Sequence, residues 1–94
     1  PKVVNTPELR FDCDDERKFA VVEEVRQRLA GRDGVVDVDG VRVAMAGGWW
    51  LLRASNTQPV LVARCEAPDE AALRRVKDDL VALLAPSGVV PPGL

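Results

Sequence analysis

The chain has 94 residues, of which 47% are hydrophobic, with 13 basic and 15 acidic side chains and a net charge of −2. This length and apolar content predict one globular domain with a single modest core rather than a disordered chain. The slight acidic balance argues against nucleic-acid binding, which needs an excess of lysine and arginine, and no apolar run is long enough to span a membrane.

The first half of the chain predicts a strand, a helix and a hairpin. Residues 8–13 alternate in polarity, as in a strand, and Asp14 and Asp15 then supply a cap and negative charge for a helix start. Helical spacing predicts one apolar face, and Gly31 ends the helix. The residues of that face are Phe19, Val22, Val25 or Arg26, and Leu29. An Asp-Gly pair at 39–40, between alternating valines, indicates a β-hairpin.

The second half predicts two more strands and a second helix. A Gly-Gly pair at 47–48 turns the chain into a strand at 49–53, and another strand follows at 60–66. Pro68 and Asp69 begin the second helix. Its buried stripe consists of Leu73, Val76, Leu80, and Leu83 or Leu84.

The predicted order of elements is β-α-β4-α. An antiparallel sheet with both helices on one face would bury all the apolar stripes, so the predicted fold class is α+β. We place the domain at residues 8–85, between a linker at 1–7 and a flexible tail at 86–94 that is rich in proline and glycine. A start at Pro1, on residues typical of a linker, predicts a piece of a longer protein.

The polar loop at residues 53–59, R-A-S-N-T-Q-P, is the most informative segment. Arg53 carries a planar fork that matches phosphate, Ser55 and Thr57 supply hydroxyls, and Asn56 supplies an amide. With no acid in the segment, these groups predict a cradle for a small anion such as phosphate. The alternative is an ordinary surface turn, in which the same side chains bond the local backbone.

This loop, entered from G-W-W-L-L and left through V-L-V-A-R-C-E-A, resembles the phosphate-binding loop in the C-terminal domain of the α-D-phosphohexomutases. The pattern R-x-S-N-T-x-P, followed by R-x-E-A, is similar to the bacterial phosphomannomutase/phosphoglucomutase subgroup. Asn56 and Gln58 differ from the S-G-T-E-P of the acetylglucosamine branch. The resemblance implies a fold like that of the TATA-box-binding protein, and it makes the segment N-T-P-E at 5–8 an interdomain hinge.

The resemblance also implies a function. Family enzymes interconvert hexose 1-phosphates and 6-phosphates, of mannose and glucose, through a bisphosphate. A phosphoserine in their first domain transfers the phosphoryl group, and aspartates in their second domain hold Mg²⁺. Neither of those loops is found in this sequence, so this chain alone is expected to be inactive, with no catalytic and no metal-binding residue. Its implied role is to bind the substrate phosphate through Arg53, Ser55, Asn56 and Thr57.

The implied partners are a phosphosugar and the other domains of a longer cytoplasmic enzyme. The resemblance gives neither the preferred sugar nor the oligomeric state. The alternative function is a stand-alone anion-binding or protein-binding module without catalysis.

Three further features have structural explanations. Cys13 and Cys65, with no histidine, are too few for a structural zinc site, and two free thiols are expected rather than a disulfide. Trp49 and Trp50 should point to opposite faces of a strand, one into the core and the other to an edge or a domain interface. The carboxylates at 12–16 could form a metal or acid–base site, but helix capping explains them more simply.

Overall fold

The computed structural model describes residues 4–6 and 8–91. Within these residues the chain forms six strands: β1 Val4–Asn5, β2 Leu9–Asp12, β3 Val35–Val36, β4 Val41–Met45, β5 Gly48–Ala54 and β6 Val60–Ala67. The helices are α1 Lys18–Arg28 and α2 Glu70–Leu84, and a 3₁₀ turn follows at Ala85–Ser87. None of the helices in this part of the chain has the length and apolar content needed to cross a bilayer.

The strands form one antiparallel sheet, as the sequence predicts. Along the sheet the order is β6, β5, β4 and β3, and both β1 and β2 pair with the outer side of β6. The two short strands lie one beyond the other, with Val4 opposite Ala67 and Leu9 opposite Ala63. The Asp-Gly hairpin is confirmed, because Val35 lies opposite Val43 and the chain turns between them. Strand β1 is an addition to the predicted order.

Both helices cover the same face of the sheet, which confirms the predicted α+β architecture. Trp50 lies opposite Val43 on one side and Cys65 on the other, and all three point to the covered face. They join Val25 of α1 and Leu80 of α2 in one core. No helix of the described chain lies on the other face, which we call the uncovered face. Side chains that alternate with the core residues point to it, among them Arg42, Arg53 and Arg64.

The start of α1 differs from the prediction. Its N-cap is Arg17, which makes no side-chain capping bond, so the prediction that Asp14 and Asp15 cap the helix with their side chains is wrong. Instead, the backbone carbonyl of Asp14 accepts the N–H groups of Arg17 and Lys18, both at 2.9 Å. The side chain of Asp15 forms an ion pair with Lys18.

The buried face of α1 also differs. Val21, Val25 and Leu29 are buried, whereas Phe19 is 59% exposed and Val22 is half-buried. Residues four apart on a helix lie within about 40° of each other, and residues two apart lie about 200° apart around the axis. Burial of the valine at 21 therefore leaves Phe19 on the outside.

Helix α2 agrees with its prediction. Asp69 caps it by accepting the N–H of Ala72 at 2.8 Å, and the stripe that it buries is Ala72, Leu73, Val76, Leu80 and Leu84. After the helix, Val89 is only 6% exposed and belongs to the core. Packed structure therefore continues beyond residue 85, where the sequence placed the end of the domain. Residues 92–94 of the predicted tail lie outside the described residues.

The predicted linker at 1–7 contains residues that bond to the sheet. Thr6 donates its N–H to the carbonyl of Cys65 at 3.0 Å, and its side-chain oxygen accepts the N–H of Cys65 at 3.1 Å. Together with the pairing of β1, these bonds attach residues 4–6 to β6. Residues 1–3 and 7 of the linker lie outside the described residues.

Candidate functional site

The 53–59 loop joins β5 to β6 and is organised by the hydroxyl of Ser55. The oxygen of that hydroxyl accepts the N–H groups of Thr57 at 3.3 Å and Gln58 at 3.2 Å. The N–H of Ser55 in turn donates to the carbonyl of Val60 at 3.1 Å, which closes the loop at its base. Serine commonly bonds the backbone of a turn in this way. The alternative interpretation as a surface turn is therefore correct for Ser55, because its side chain bonds the backbone of the loop.

The second half of the loop is held by residues from the start of the chain. The carbonyl of Pro59 accepts the N–H of Cys13 at 3.0 Å. The carbonyl of Gln58 accepts the N–H of Val60 at 2.8 Å and the ammonium of Lys18 at 3.0 Å. The segment between β2 and α1 thus packs against the loop and fixes residues 58 and 59, which lead into β6. Asn56 and Thr57 stay exposed at the tip.

Arg53 lies at the end of β5 on the uncovered face and is exposed. Among the described residues it forms no ion pair. Two shallow clefts adjoin it, of about 340 Å³ and about 210 Å³. Asn56 lines the smaller cleft together with Arg53, whereas Ser55 and Thr57 line neither. Of the four predicted residues, the structure therefore brings only Arg53 and Asn56 to one cleft.

Several charged residues at the site were missed by reasoning on the loop alone. Arg64 lies opposite Leu51 and lines the larger cleft with Arg53, so two guanidinium groups from neighbouring strands face the same space. Asp39, at the tip of the hairpin, lines both clefts, and one further acid lines each of them, Glu8 the larger and Glu23 the smaller. The signal for Arg64 was present in the R-x-E-A pattern, because residues two apart on a strand share a face and Val62 pairs with Arg53.

The hairpin tip reaches the loop because of its backbone conformation. Asp39 and Gly40 both have positive φ, of 60° and 106°, as a tight hairpin turn requires. A Cβ at Gly40 would come within 2.6 Å of the carbonyl oxygen of Leu52 and 3.0 Å of the Cβ of Arg53. Glycine therefore allows the hairpin to pack directly on β5, and this contact brings the carboxylate of Asp39 beside the clefts.

The prediction that the two tryptophans point to opposite faces is confirmed, with Trp50 in the core and Trp49 on the uncovered face. Trp49 does not lie at an edge of the sheet, because β5 pairs with both β4 and β6, and a domain interface at Trp49 stays a prediction. The guanidinium of Arg42 stacks on the ring of Trp49, 4.7 Å from its centroid. The indole N–H of Trp49 donates to Glu66 at 3.2 Å. These two contacts use one ring face and the polar edge of Trp49, which disfavours a role as a platform for a sugar ring.

The described residues bring together no group of three or more histidine, cysteine or acidic side chains that could hold a metal ion. The carboxylates at 12–16 do not converge on a site in this part of the chain. Cys13 and Cys65 are both free thiols, as predicted. Burial raises the pKa of the Cys65 thiol to about 11, so at neutral pH this thiol stays protonated and unreactive.

Comparison with known proteins identifies the family of the chain. Residues 8–83 match the family described as phosphoglucomutase/phosphomannomutase, C-terminal domain. The chain is 46% identical over 79 residues to a phosphomannomutase/phosphoglucomutase of Pseudomonas putida, and 44% identical over 78 residues to one of Pseudomonas aeruginosa. These alignments cover 83% and 82% of this chain, respectively, but the chain spans only 17% of the length of each relative.

A crystal structure gives the same result for the fold. A phosphoglucomutase/phosphomannomutase family protein from Burkholderia thailandensis superposes on 99% of this chain with a TM-score of 0.76 and 38% sequence identity. The match covers 19% of the Burkholderia chain. By sequence and by fold, the chain belongs to the phosphoglucomutase/phosphomannomutase family, and residues 8–83 correspond to the C-terminal domain of that family.

Proposed function

We propose that this chain binds the substrate phosphate for a phosphohexomutase, an isomerase that interconverts the 1-phosphate and 6-phosphate of glucose or mannose through a bisphosphate. The observation that carries the proposal is the position of Arg53, an exposed guanidinium without an ion pair in the described chain, beside a loop of small polar donors. A guanidinium fork bonds two oxygens of one phosphate at once.

The hydrogen bonds inside the loop assign different roles to its side chains. Because the Ser55 oxygen already accepts two backbone N–H groups, its own hydroxyl proton remains as the group it can offer to a phosphate oxygen. Asn56 and Thr57 are exposed and can donate from the tip. In this proposal Arg53 supplies charge, Ser55 holds the shape and donates one bond, and the two tip residues complete the shell.

Arg64 and Asp39 add charges of opposite sign beside the site. Arg64 and Glu8 line the 340 Å³ cleft together with Arg53, so an anion in that cleft would meet two positive charges and the carboxylate of Glu8. Asp39 adds a negative charge to the edge of both clefts. A dianion would therefore be attracted by the two arginines and repelled by Glu8 and Asp39. The proposed phosphate position is the side of Arg53 next to the loop, because residues 55–57 do not line the larger cleft.

The reaction itself is assigned to other parts of a longer chain. In this proposal phosphoryl transfer and Mg²⁺ binding belong to other domains of a longer enzyme, as the resemblance to the phosphohexomutases implies, and the chain spans only 17% of the length of its Pseudomonas putida relative. Binding energy at the phosphate that is not transferred can orient the reacting end of the sugar. The proposed partners are a phosphosugar and those other domains, in the cytoplasm, where Cys13 and Cys65 remain reduced.

Titration of the isotope-labelled chain with glucose 1-phosphate, followed by amide chemical shifts, tests the proposal. We expect weak binding, with the largest shifts at residues 53–57, and no such shifts with glucose. Arg53→Ala should abolish most of the response, whereas Arg74→Ala, a matched change of an exposed arginine on α2, should leave it intact. Shifts confined to the helices, or equal losses in the two variants, would overturn the proposed site.

A further inference from the structure

Lys18 is a buried cation directly beneath the 53–59 loop. Its side chain is only 5% exposed, although it is the first residue of α1. The ammonium lies 3.0 Å from the carbonyl oxygen of Gln58 and 2.8 Å from a carboxylate oxygen of Asp15. It also lies 5.4 Å from the centre of the Phe19 ring. Forty residues of sequence separate Lys18 from the loop residue that it contacts.

We propose that Lys18 is a positioning residue, which holds the 53–59 loop in the shape that binds phosphate without touching the phosphate itself. The proposal rests on the function proposed above. Residue 59 is a proline and has no N–H to donate, so the part of the loop that leads into β6 has one backbone donor fewer than an ordinary turn. The ammonium of Lys18 supplies a donor from outside the loop, at the carbonyl that precedes the proline.

The bond from Lys18 affects the whole loop because it acts on Gln58. Gln58 donates its own N–H to the Ser55 hydroxyl and accepts from Lys18 through its carbonyl, so a single residue joins the two supports. Loss of the bond from Lys18 would let Gln58 rotate and would weaken its bond to the Ser55 hydroxyl. The effect would then reach Asn56 and Thr57, the tip residues that lie between the two supports.

Charge on Lys18 is a smaller part of its role than geometry. The neighbouring carboxylate of Asp15 offsets most of the positive charge at the distance of a phosphate. Removal of the ammonium leaves no stranded polar group, because Gln58 keeps the N–H of Val60 and Asp15 is 67% exposed. Lys18→Met, which keeps the length of the packed stem, should therefore fold and should alter the loop selectively.

The test compares Lys18→Met, Lys18→Arg and Lys77→Met, the last being the same change at an exposed lysine of α2. We expect Lys18→Met to weaken binding of inorganic phosphate by roughly tenfold, as the loss of one charged hydrogen bond reduces the population of the competent loop. Lys18→Arg, which can still donate to a carbonyl, should recover part of that loss, and Lys77→Met should match the wild type.

Two further readouts separate positioning from bulk stability and from direct charge. Amide hydrogen exchange should speed up at residues 56–58 and 60 in Lys18→Met but not at the core strand residues Ala63 and Cys65. The salt dependence of phosphate binding should flatten in Arg53→Ala, because a phosphate-contacting charge is gone, and should keep the wild-type slope in Lys18→Met. Wild-type phosphate affinity in Lys18→Met, or exchange that rises equally in the core, would refute the role of Lys18.

A failure of the proposed function would look different. In that case the wild-type chain would not bind phosphate, while the exchange comparison at residues 56–58 and 60 would still decide whether Lys18 holds the loop.

Discussion

Trp50 and Asp79 connect the centre of the sheet to α2. The indole N–H of Trp50, a side chain that is fully buried, donates to the carboxylate of Asp79 at 2.8 Å. The same carboxylate accepts two further bonds from Arg32, at 2.9 Å and 3.1 Å. The buried indole N–H of Trp50 therefore has an acceptor in Asp79. Arg32, from the segment after α1, holds that carboxylate in place.

Trp50→Phe should destabilise the domain by about 2–3 kcal/mol, because it removes the bond to Asp79 and leaves space in a packed core. Trp49→Phe is the matched control and should cost less than about 1 kcal/mol, since Trp49 lies on the uncovered face. Urea unfolding of both variants measures the difference. Equal losses would contradict the assignment of Trp50 to the core.

Gly48→Ala should be among the most damaging small substitutions. A Cβ at this position would overlap the carbonyl oxygen of Glu66 and come within 2.7 Å of Val76 Cγ2. We expect a loss of about 3 kcal/mol, because strand and helix must both move. At Gly31, with φ of 83° and nothing within 4 Å, the same change should cost only about 1 kcal/mol. Thermal and urea unfolding compare the two, and similar losses would count against this close packing.

Glu24 predicts a dependence of stability on acid pH. Hydrogen bonds from Arg17 and Ser87 lower the pKa of its carboxyl from the ordinary 4.5 to about 2. A lowered pKa means that the stabilisation is complete above pH 4.5 and is lost as the pH falls towards 2. Glu24→Gln should therefore be less stable than the wild type at neutral pH, and the gap should close between pH 4.5 and pH 2.

Urea midpoints measured across that range, with Glu16→Gln as an exposed control, follow the effect. A gap between Glu24→Gln and the wild type that stayed constant with pH would show that the variant acts through packing rather than through charge.

We expect Arg53 to bind the phosphate and not to contact the sugar ring. In a longer enzyme that contains this domain, Arg53→Ala should lower kcat/KM by similar factors for glucose and mannose phosphates, in both directions of the reaction. Arg53→Lys should recover only part, because a point charge cannot reproduce the two parallel bonds of a guanidinium. Steady-state kinetics with both sugars give the answer. A loss for one sugar alone would mean that Arg53 contacts the ring, and unchanged kinetics would exclude the clamp.

Local pattern was enough to predict most of the fold. The β-branched strands, the Asp-Gly hairpin and the single apolar stripe of α2 each leave one arrangement that buries the apolar side chains. Helix α1 was harder, because the adjacent valines at 21 and 22 belong to two competing faces. Phe19 made the wrong face look more apolar, and only the packing against the sheet decides in favour of Val21.

For the candidate site, the limit of prediction is the register of the sheet. Arg53, Ser55, Asn56 and Thr57 are contiguous and could be found by reading the loop. Lys18 lies forty residues away, and nothing in its own surroundings predicts that its ammonium bonds Gln58. Asp39 reaches the clefts only because the hairpin packs on β5. Contacts of this kind depend on pairings that a single sequence does not reveal.

The attachment of β1 to the far end of β6 determines how far the loop would travel if the domain rotated. The chain joins the sheet at Val4, opposite Ala67, whereas the loop lies at Val60, at the other end of the same strand. At about 3.3 Å per residue, β6 is a rigid arm of roughly 23 Å between the two points. A rotation of about 10° at Val4 would therefore carry the loop through about 4 Å, more than the length of a hydrogen bond.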